Sequence, residues 1–430
     1  MRNIRLSVVL LSLLLLPSVL FLSGCMGDDD TKKASYSNPA AIEDEDYFGI
    51  VVINQSSIGI LDGLTQTMSF PLLVGELGSV GGGRFDVVIT PDGKTAMVSN
   101  FGDSTVYFID TNDPTAPYVS GSITLSFFAE DIALTPDGTY ALVTDGGFAP
   151  KIAVIDVEDQ SIVEEYEVPV DEEDDDAPEY YHNAVAVAKD GQTVLTADYF
   201  QGNVNCLTLS SDGHLTYVST IDVSNGDTIR PVNLAISPDG ETVIVATVGD
   251  ADDMAFPVLT ITGPGQVELT DMVTPGISIT GSQSIVFKGH KAYLHCVQEI
   301  VDDLNFQVAA RSADNAQTTP DYLPRNGVED PNNVIVALDI TSPGHASDAG
   351  TPIEVGFTGR SQLFGVDTMA MDYETGYLCV SNPTVSGGKN YVQIVDVNEG
   401  TVVDQHNFGA VWVDGDWEQS IPVGVAFWRP

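Results

Sequence analysis

Basic residues are scarce in this 430-residue chain: 16 Lys and Arg stand against 62 Asp and Glu, a formal net charge of −46. Phosphate backbones are held by clustered Lys and Arg, and the longest basic run here is Lys32-Lys33, so nucleic-acid binding is excluded. Cysteine is rare as well, with four residues. No C-x-x-C occurs, which rules out covalent c-type haem. The sequence also lacks a G-x-S-x-G elbow, an H-E-x-x-H pair, a P-loop and a Cys-His pair at a known spacing. Helical periodicity is almost absent. What is present is apolar: 43% hydrophobic residues, with 17 Phe and 15 Tyr, enough to offset the entropy of ordering. Length alone suggests two or three domains. The 18% charged fraction, 40 Gly and 23 Pro favour one large all-β domain instead.

The N-terminus reads MRNIRLSVVLLSLLLLPSVLFLSGC. Arg2 and Arg5 give a basic start, Leu6 to Leu22 an apolar stretch broken by Pro17, and Ser23-Gly24 a small-residue cleavage site. The run is short for a membrane span, so residues 1–24 are expected to be a secretion signal. Leu22-Ser23-Gly24-Cys25 resembles the bacterial lipobox, which implies cleavage before Cys25 and lipidation of its sulfur. Residues 25–46 then form a polar, acidic, flexible tether. In Gram-negative lipoproteins an Asp after the lipidated Cys commonly means inner-membrane retention. Met26 stands there instead, which for such an organism implies the outer membrane, on its periplasmic or surface-exposed side. Cys206, Cys296 and Cys379 leave open one pair plus a free thiol or three buried thiols; the apolar run around each favours the latter.

Internal repetition sets the expected fold. Val87-Val88-Ile89-Thr90-Pro91-Asp92-Gly93, Ile132-Ala133-Leu134-Thr135-Pro136-Asp137-Gly138, Val185-Ala186-Val187-Ala188-Lys189-Asp190-Gly191 and Leu234-Ala235-Ile236-Ser237-Pro238-Asp239-Gly240 recur at spacings of 45, 53 and 49 residues. Each is an apolar strand followed by a turn in which Pro presets φ and Asp-Gly supplies the hydrogen-bonding and positive-φ positions. Second, third and fourth strands follow, as at Thr95 to Asn100 and Thr105 to Asp110. Four short antiparallel strands per repeat describe β-propeller blades. Inner strands are expected near Phe85, Asp131, Ala184, Asn233, Gln283 and Thr368. A seventh, Pro422 to Phe427, would complete the outer strands Phe48 to Ile53, Ile58 to Leu61 and Met68 to Leu73, closing a seven-bladed ring over residues 47–430.

Strand ends such as Ala96-Met97-Val98-Ser99-Asn100 and Ala141-Leu142-Val143-Thr144-Asp145, set after Pro-Asp-Gly turns, and Tyr377-Leu378-Cys379-Val380-Ser381-Asn382 resemble the YVTN repeat family, whose relatives include lactonase-type propellers. WD40 fits less well, lacking its Gly-His and Trp-Asp pairs. The resemblance speaks for architecture more than for function.

Loops of an antiparallel meander alternate between two faces. The uniform Pro-Asp-Gly turns take one, and long irregular loops take the other, including Glu76 to Gly83, Asp171 to Tyr181, Gly249 to Ala255, Glu299 to Asn333 and Val411 to Ser420. Alignment on the turns puts Asp86, Asp131, Ala184, Asn233, Gln283, Thr368 (or Asp367) and Gly424 at the channel mouth on that irregular face. These oxygens either bond one another and channel water, or hold a polar ligand or Ca2+, with Asp86 and Asp131 the candidate metal ligands. Arg84, His182, Arg230 and Arg360 stand just before them, as an anion site or as partners of neighbouring Asp. In lactonase-type propellers a carboxylate, a His and an Arg at the mouth form the proposed catalytic set; the resemblance would carry those roles to Asp131, His182 and Arg230.

The acidic runs Asp171 to Asp176 and Asp250 to Asp253 lack EF-hand spacing and read first as solvated charge. Trp412 and Trp417 flank Asp414-Gly415-Asp416, to stack on a sugar or partner or to pack on the rim. The chain is thus expected to be a monomeric, lipid-anchored envelope propeller that binds a protein, glycan or small ligand, without a firm cofactor. Lactone hydrolysis is the alternative. Replacing Cys25 by Ser is expected to shift the protein from the detergent to the aqueous phase in a detergent partition and to abolish palmitate labelling. A variant that stays in the detergent phase contradicts anchoring there.

Overall fold

In a computed structural model of the chain, the residues described are 48–53, 57–62, 68–72, 77, 85–147, 150–169, 182–226, 228–249, 252–298, 332–357, 369–372, 375–382, 391–407, 410–413, 416–419 and 422–428. Cys25 and the expected signal and tether lie outside them. Every regular element among the described residues is a strand, and no helix there is long and apolar enough to cross a membrane.

The repeated turns explain why. Thr90 Oγ1 donates to Asp92 Oδ1 at 2.7 Å and accepts from the Thr95 amide at 3.1 Å, while the Gly93 amide donates to the Thr90 carbonyl at 2.8 Å. The same set recurs at Thr135, Asp137 and Tyr140 and at Ser237, Asp239 and Thr242. Gly93, Gly138, Gly191 and Gly240 take φ values of 71°, 72°, 68° and 85°, a left-handed backbone that glycine adopts without a Cβ clash. Hydrogen bonds from Thr135 and the Thr139 amide hold the Asp137 carboxyl below the usual carboxylate range. These aspartates are parts of hairpins, as their spacing suggested.

Each hairpin grows into an antiparallel sheet. Phe85–Ile89, Thr95–Asn100, Thr105–Asp110 and Tyr118–Thr124 pair in sequence order. So do Ala129–Leu134, Tyr140–Asp145, Lys151–Asp156 and Ser161–Glu167, and then His182–Val187, Thr193–Asp198, Asn203–Leu209 and Leu215–Asp222. Ile229–Ile236, Thr242–Gly249, Phe256–Gly263 and Gln266–Val273 follow. In the next sheet, Ile279–Lys288, Lys291–Gln298 and Asn332–Ser342 share an outer position split between His345–Asp348 and Ile353–Phe357. Met369–Met371, Tyr377–Asn382, Tyr391–Asp396 and Thr401–Asn407 form another four-stranded sheet. One bridge, Val248 to Gly281, links the Ile229 and Ile279 sheets. A Cβ at Gly281 would lie 2.8 Å from Val248, so glycine is what lets the backbones approach.

Second strands such as Thr193–Asp198 are buried along their whole length, whereas outer strands such as Tyr118–Thr124 alternate exposed and half-buried. Sheets stacked face to face require this pattern. Met97, Val106 and Phe108 of one sheet pack with Ala141, Val143 and Ala153 of the next, and each of the larger side chains, fully buried, contributes about 1.5–3 kcal/mol.

The C-terminal strand Pro422–Phe427 pairs with Phe48–Ile53, matching Gly49 to Phe427, Val51 to Val425 and Val52 to Gly424. It becomes the innermost strand of a sheet continued outward by Ser57–Asp62 and Met68–Leu72. Pro71 sits in the outermost strand, where its missing N–H breaks no ladder. Past the strand, the Trp428 amide donates to the Phe48 carbonyl at 2.9 Å and its indole N–H to the Pro91 carbonyl at 3.3 Å. The turn glycines nest on their neighbours: Gly138 faces the Pro91 ring, Gly191 the Pro136 ring and Gly240 the Lys189 side chain. Gly93 faces Trp428, which takes the corresponding place there.

A Cβ at Gly93 would therefore overlap the indole in a backbone that already disfavours it. Gly93→Ala is expected to cost about 1–3 kcal/mol. Combined with Trp428→Ala in a double-mutant cycle by denaturant unfolding, it should cost clearly less than the sum. Strict additivity would show that the indole does not set the penalty.

Candidate functional site at the channel mouth

Register breaks mark the mouth. The inner strands shift between Ala129 and Ile132, His182 and Ala184, Pro231 and Asn233, and Ser282 and Ser284. β-Bulges of this kind bend a strand and re-aim its side chains. Turn-based alignment started these strands at Asp131, Ala184 and Asn233; they begin at Ala129, His182 and Ile229, because the extra residue interrupts the alternation by which a strand is read. Gln283 falls at such a break. Counted from the hairpin, Ser284 takes its place, buried opposite His295. The last irregular loop, Val411 to Ser420, contains a hairpin of its own, Ala410–Val413 with Asp416–Gln419, that pairs Trp412 with Trp417.

An inner strand has no strand beyond its channel edge, so the N–H groups there need other acceptors. Asp86, fully buried, accepts from the Ile132 amide at 3.3 Å. Asp131, 4% exposed, accepts from the Val185 amide at 2.6 Å. Ser99 Oγ accepts from the Asp86 amide at 3.1 Å and donates to the Glu130 carbonyl at 2.6 Å, while Thr144 Oγ1 accepts from the Asp131 amide at 3.3 Å. Three consecutive sheets are thereby stapled through side chains. In the third both positions are alanine, Ala184 opposite Ala197. Asn233 Oδ1 accepts from the Leu234 amide at 2.6 Å.

Asp131 and Asn233 line one cleft of about 280 Å³, floored by strand residues that include Ala133, Ala186 and Ala235. Arg230 is not part of its lining. Half-buried, it donates to the Ile229 carbonyl at 3.1 Å and stands near Asp222, whose carboxyl is held low by the Ser224 amide and hydroxyl, with Arg230 adding to the effect. His182 opens its strand opposite Asp198. Its side chain, that of Gln283, and all of Arg84 and Arg360 lie outside the described residues. Among the described residues no group of three or more His, Cys, Asp or Glu is placed to hold a metal ion.

Two features escaped sequence reasoning. His295 is fully buried, and desolvation drops its pKa to about 4; its place opposite Ser284 depends on pairing, which no local signal announces. On the mouth-side rim, Phe101 stacks on Phe128 with ring centroids 4.8 Å apart, Phe128 staying 46% exposed. The Asp145 carboxylate accepts from the Phe128 and Gly147 amides at 3.2 and 2.7 Å, fixing that segment. Cys206, Cys296 and Cys379 are free and buried, and burial pushes the Cys206 thiol up to about 11.

No family profile and no curated protein matches this sequence. Solved structures do. A functionally unknown protein from Desulfotomaculum acetoxidans is 18% identical over 89% of this chain and 99% of its own, with a TM-score of 0.64. The periplasmic gluconolactonase of Pseudomonas aeruginosa is 16% identical over 89% and 99%, with a TM-score of 0.58. A β-propeller domain from Myceliophteria thermophila is 10% identical over 80% and 98%, with a TM-score of 0.52. Identities this low show the fold, a β-propeller, and nothing of activity.

His295 gives the site a pH signature. Neutral in the fold to about pH 4 and protonated near 6.5 when unfolded, it leaves stability intact above about pH 6.5. Stability then falls by about 3 kcal/mol as the pH drops to about 4. His295→Gln should flatten the slope of unfolding free energy between pH 6.5 and 5. An unchanged slope would assign it to other groups.

Proposed function

We propose that this chain is a seven-bladed propeller of the YVTN type, held in the cell envelope by a lipid on Cys25, that binds a ligand at the channel mouth as a binding or scaffold module. Hydrophobic clusters shared by successive sheets support the seven-bladed count, up to the one joining Val51 and Val425 to Ala370, Cys379 and Val392. The observation that carries the functional reading is the Asp131 carboxylate, tied to the Val185 amide at 2.6 Å beside an open cleft. That backbone donor fixes the carboxylate in place, which suits structure and ligand orientation.

Lactone hydrolysis by Asp131, His182 and Arg230 is the second reading, favoured by the likeness to the periplasmic gluconolactonase. A lactone panel separates the two, with calorimetric binding measured on the same compounds. Saturable binding without turnover is the expected result. Turnover abolished by His182→Ala would overturn the binding reading in favour of the hydrolase.

A further inference from the structure

We propose, on the reading that Cys25 carries a lipid, that the turn-side face is the surface this protein lays against the membrane, so that the channel mouth points away from the bilayer and takes its ligand from the aqueous compartment.

The chain enters the propeller on the turn side. Phe48 begins a strand in the second place of its sheet, beside the innermost strand Pro422–Phe427. Second strands start where the first hairpin turn ends, as Thr95 does after Gly93 and Tyr140 after Gly138. Their first residues therefore lie on the turn side and their last at the mouth. Direct contacts agree. The Trp428 amide donates to the Phe48 carbonyl at 2.9 Å, the two ring centroids are 5.7 Å apart, and the indole N–H of Trp428 donates to the Pro91 carbonyl of the neighbouring turn. Phe48 is itself buried. The point from which the N-terminal segment leaves the body is thus fixed on the turn side, one strand out from the channel.

Reach favours the same arrangement. Cys25 stands 23 residues before Phe48, and an unstructured chain of that length averages about 25–30 Å end to end. Setting the mouth on the bilayer would take it past two further strands about 4.8 Å apart and then along the depth of a six-residue strand, about 20 Å. Loops and side chains lengthen that path, and stretching a chain beyond its average span costs entropy. With the turn side down there is no detour.

Charge points the same way. Of the five lysines among the described residues, Lys94, Lys189, Lys288 and Lys291 stand in or beside turn-side hairpins, and only Lys151 begins a strand at the mouth. Lys94 and Lys291 pair with Asp92 and Asp339 at 3.3 and 3.0 Å. The acidic run Asp171 to Asp176 falls between Glu167 and His182, two strand ends on the mouth side. The turn side keeps its hairpin aspartates, so the lysines make it the less repelled face beside anionic headgroups, and attachment is left to the lipid.

The test places one fluorophore on either face through a single added cysteine, Ser211→Cys in an exposed turn-side hairpin or Asp252→Cys exposed on the mouth side. Cys206, Cys296 and Cys379 are buried and do not compete for label. The lipidated full chain is inserted into phosphatidylethanolamine–phosphatidylglycerol vesicles that carry a headgroup quencher, and flotation shows what is bound. The label at Ser211→Cys should be quenched at least about twofold more than that at Asp252→Cys. Deleting residues 30–41 should raise quenching at Ser211→Cys and leave Asp252→Cys unchanged. Equal quenching at the two sites, or stronger quenching at Asp252→Cys, would overturn the orientation while leaving the anchor. A lipidated chain that fails to float with the vesicles, as Cys25→Ser is expected to, would overturn the anchor and the orientation together.

Discussion

Pairing of Pro422–Phe427 with Phe48–Ile53 joins the two ends of the described chain, and the rest of the architecture relies on it. Sheets packed face to face in sequence would otherwise leave two terminal faces and an open inner edge. With the C-terminal strand in place, Val425 enters the cluster shared with Ala370 and Cys379, while Phe48 and Ile50 join the one shared with Val87 and Val98. Trp428 then carries the closure to the turn-side face, covering Gly93 as the preceding proline covers Gly138 and Gly191. The contacts that close the sheet thus also complete the belt of nested turns.

The large negative charge divides by role. Asp92, Asp137 and Asp239 build hairpin turns, and Asp86 and Asp131 satisfy backbone amides of the next sheet. Both uses follow from one constraint: a sheet assembly rich in edges has backbone donors that its ladders cannot reach. Carboxylates are strong acceptors for such donors. A surplus of acids is therefore partly a structural requirement, and counting it as a ligand-binding field overstates the charge available at the mouth.

Much of the fold was legible because four repeats announce their turn with Asp-Gly. That turn fixes a hairpin locally, and the apolar runs on either side then have one way to pair. The closing strand was legible for the same reason, since Pro422 to Phe427 matches an inner strand lacking its own sheet. The site was less legible. Bulges at Ala129, His182, Pro231 and Ser282 depend on cross-strand register, so Gln283 seemed equivalent to Asn233 where Ser284 is. Alignment on the turns placed Asp131 at the mouth, but its bond to Val185 joins residues 54 positions apart and has no local signature. His295 is one of six histidines, and only pairing places it opposite Ser284.

The central claim is that the first and last strands are one cooperative unit with the ring. Native-state hydrogen exchange of the amides in Pro422–Phe427 addresses it most directly. The account predicts that the hydrogen-bonded amides of that strand exchange only through global unfolding, with the same opening free energy as the buried strand Thr193–Asp198. Exchange of the C-terminal strand through a separate, lower-energy opening, with Thr193–Asp198 still protected, would contradict it.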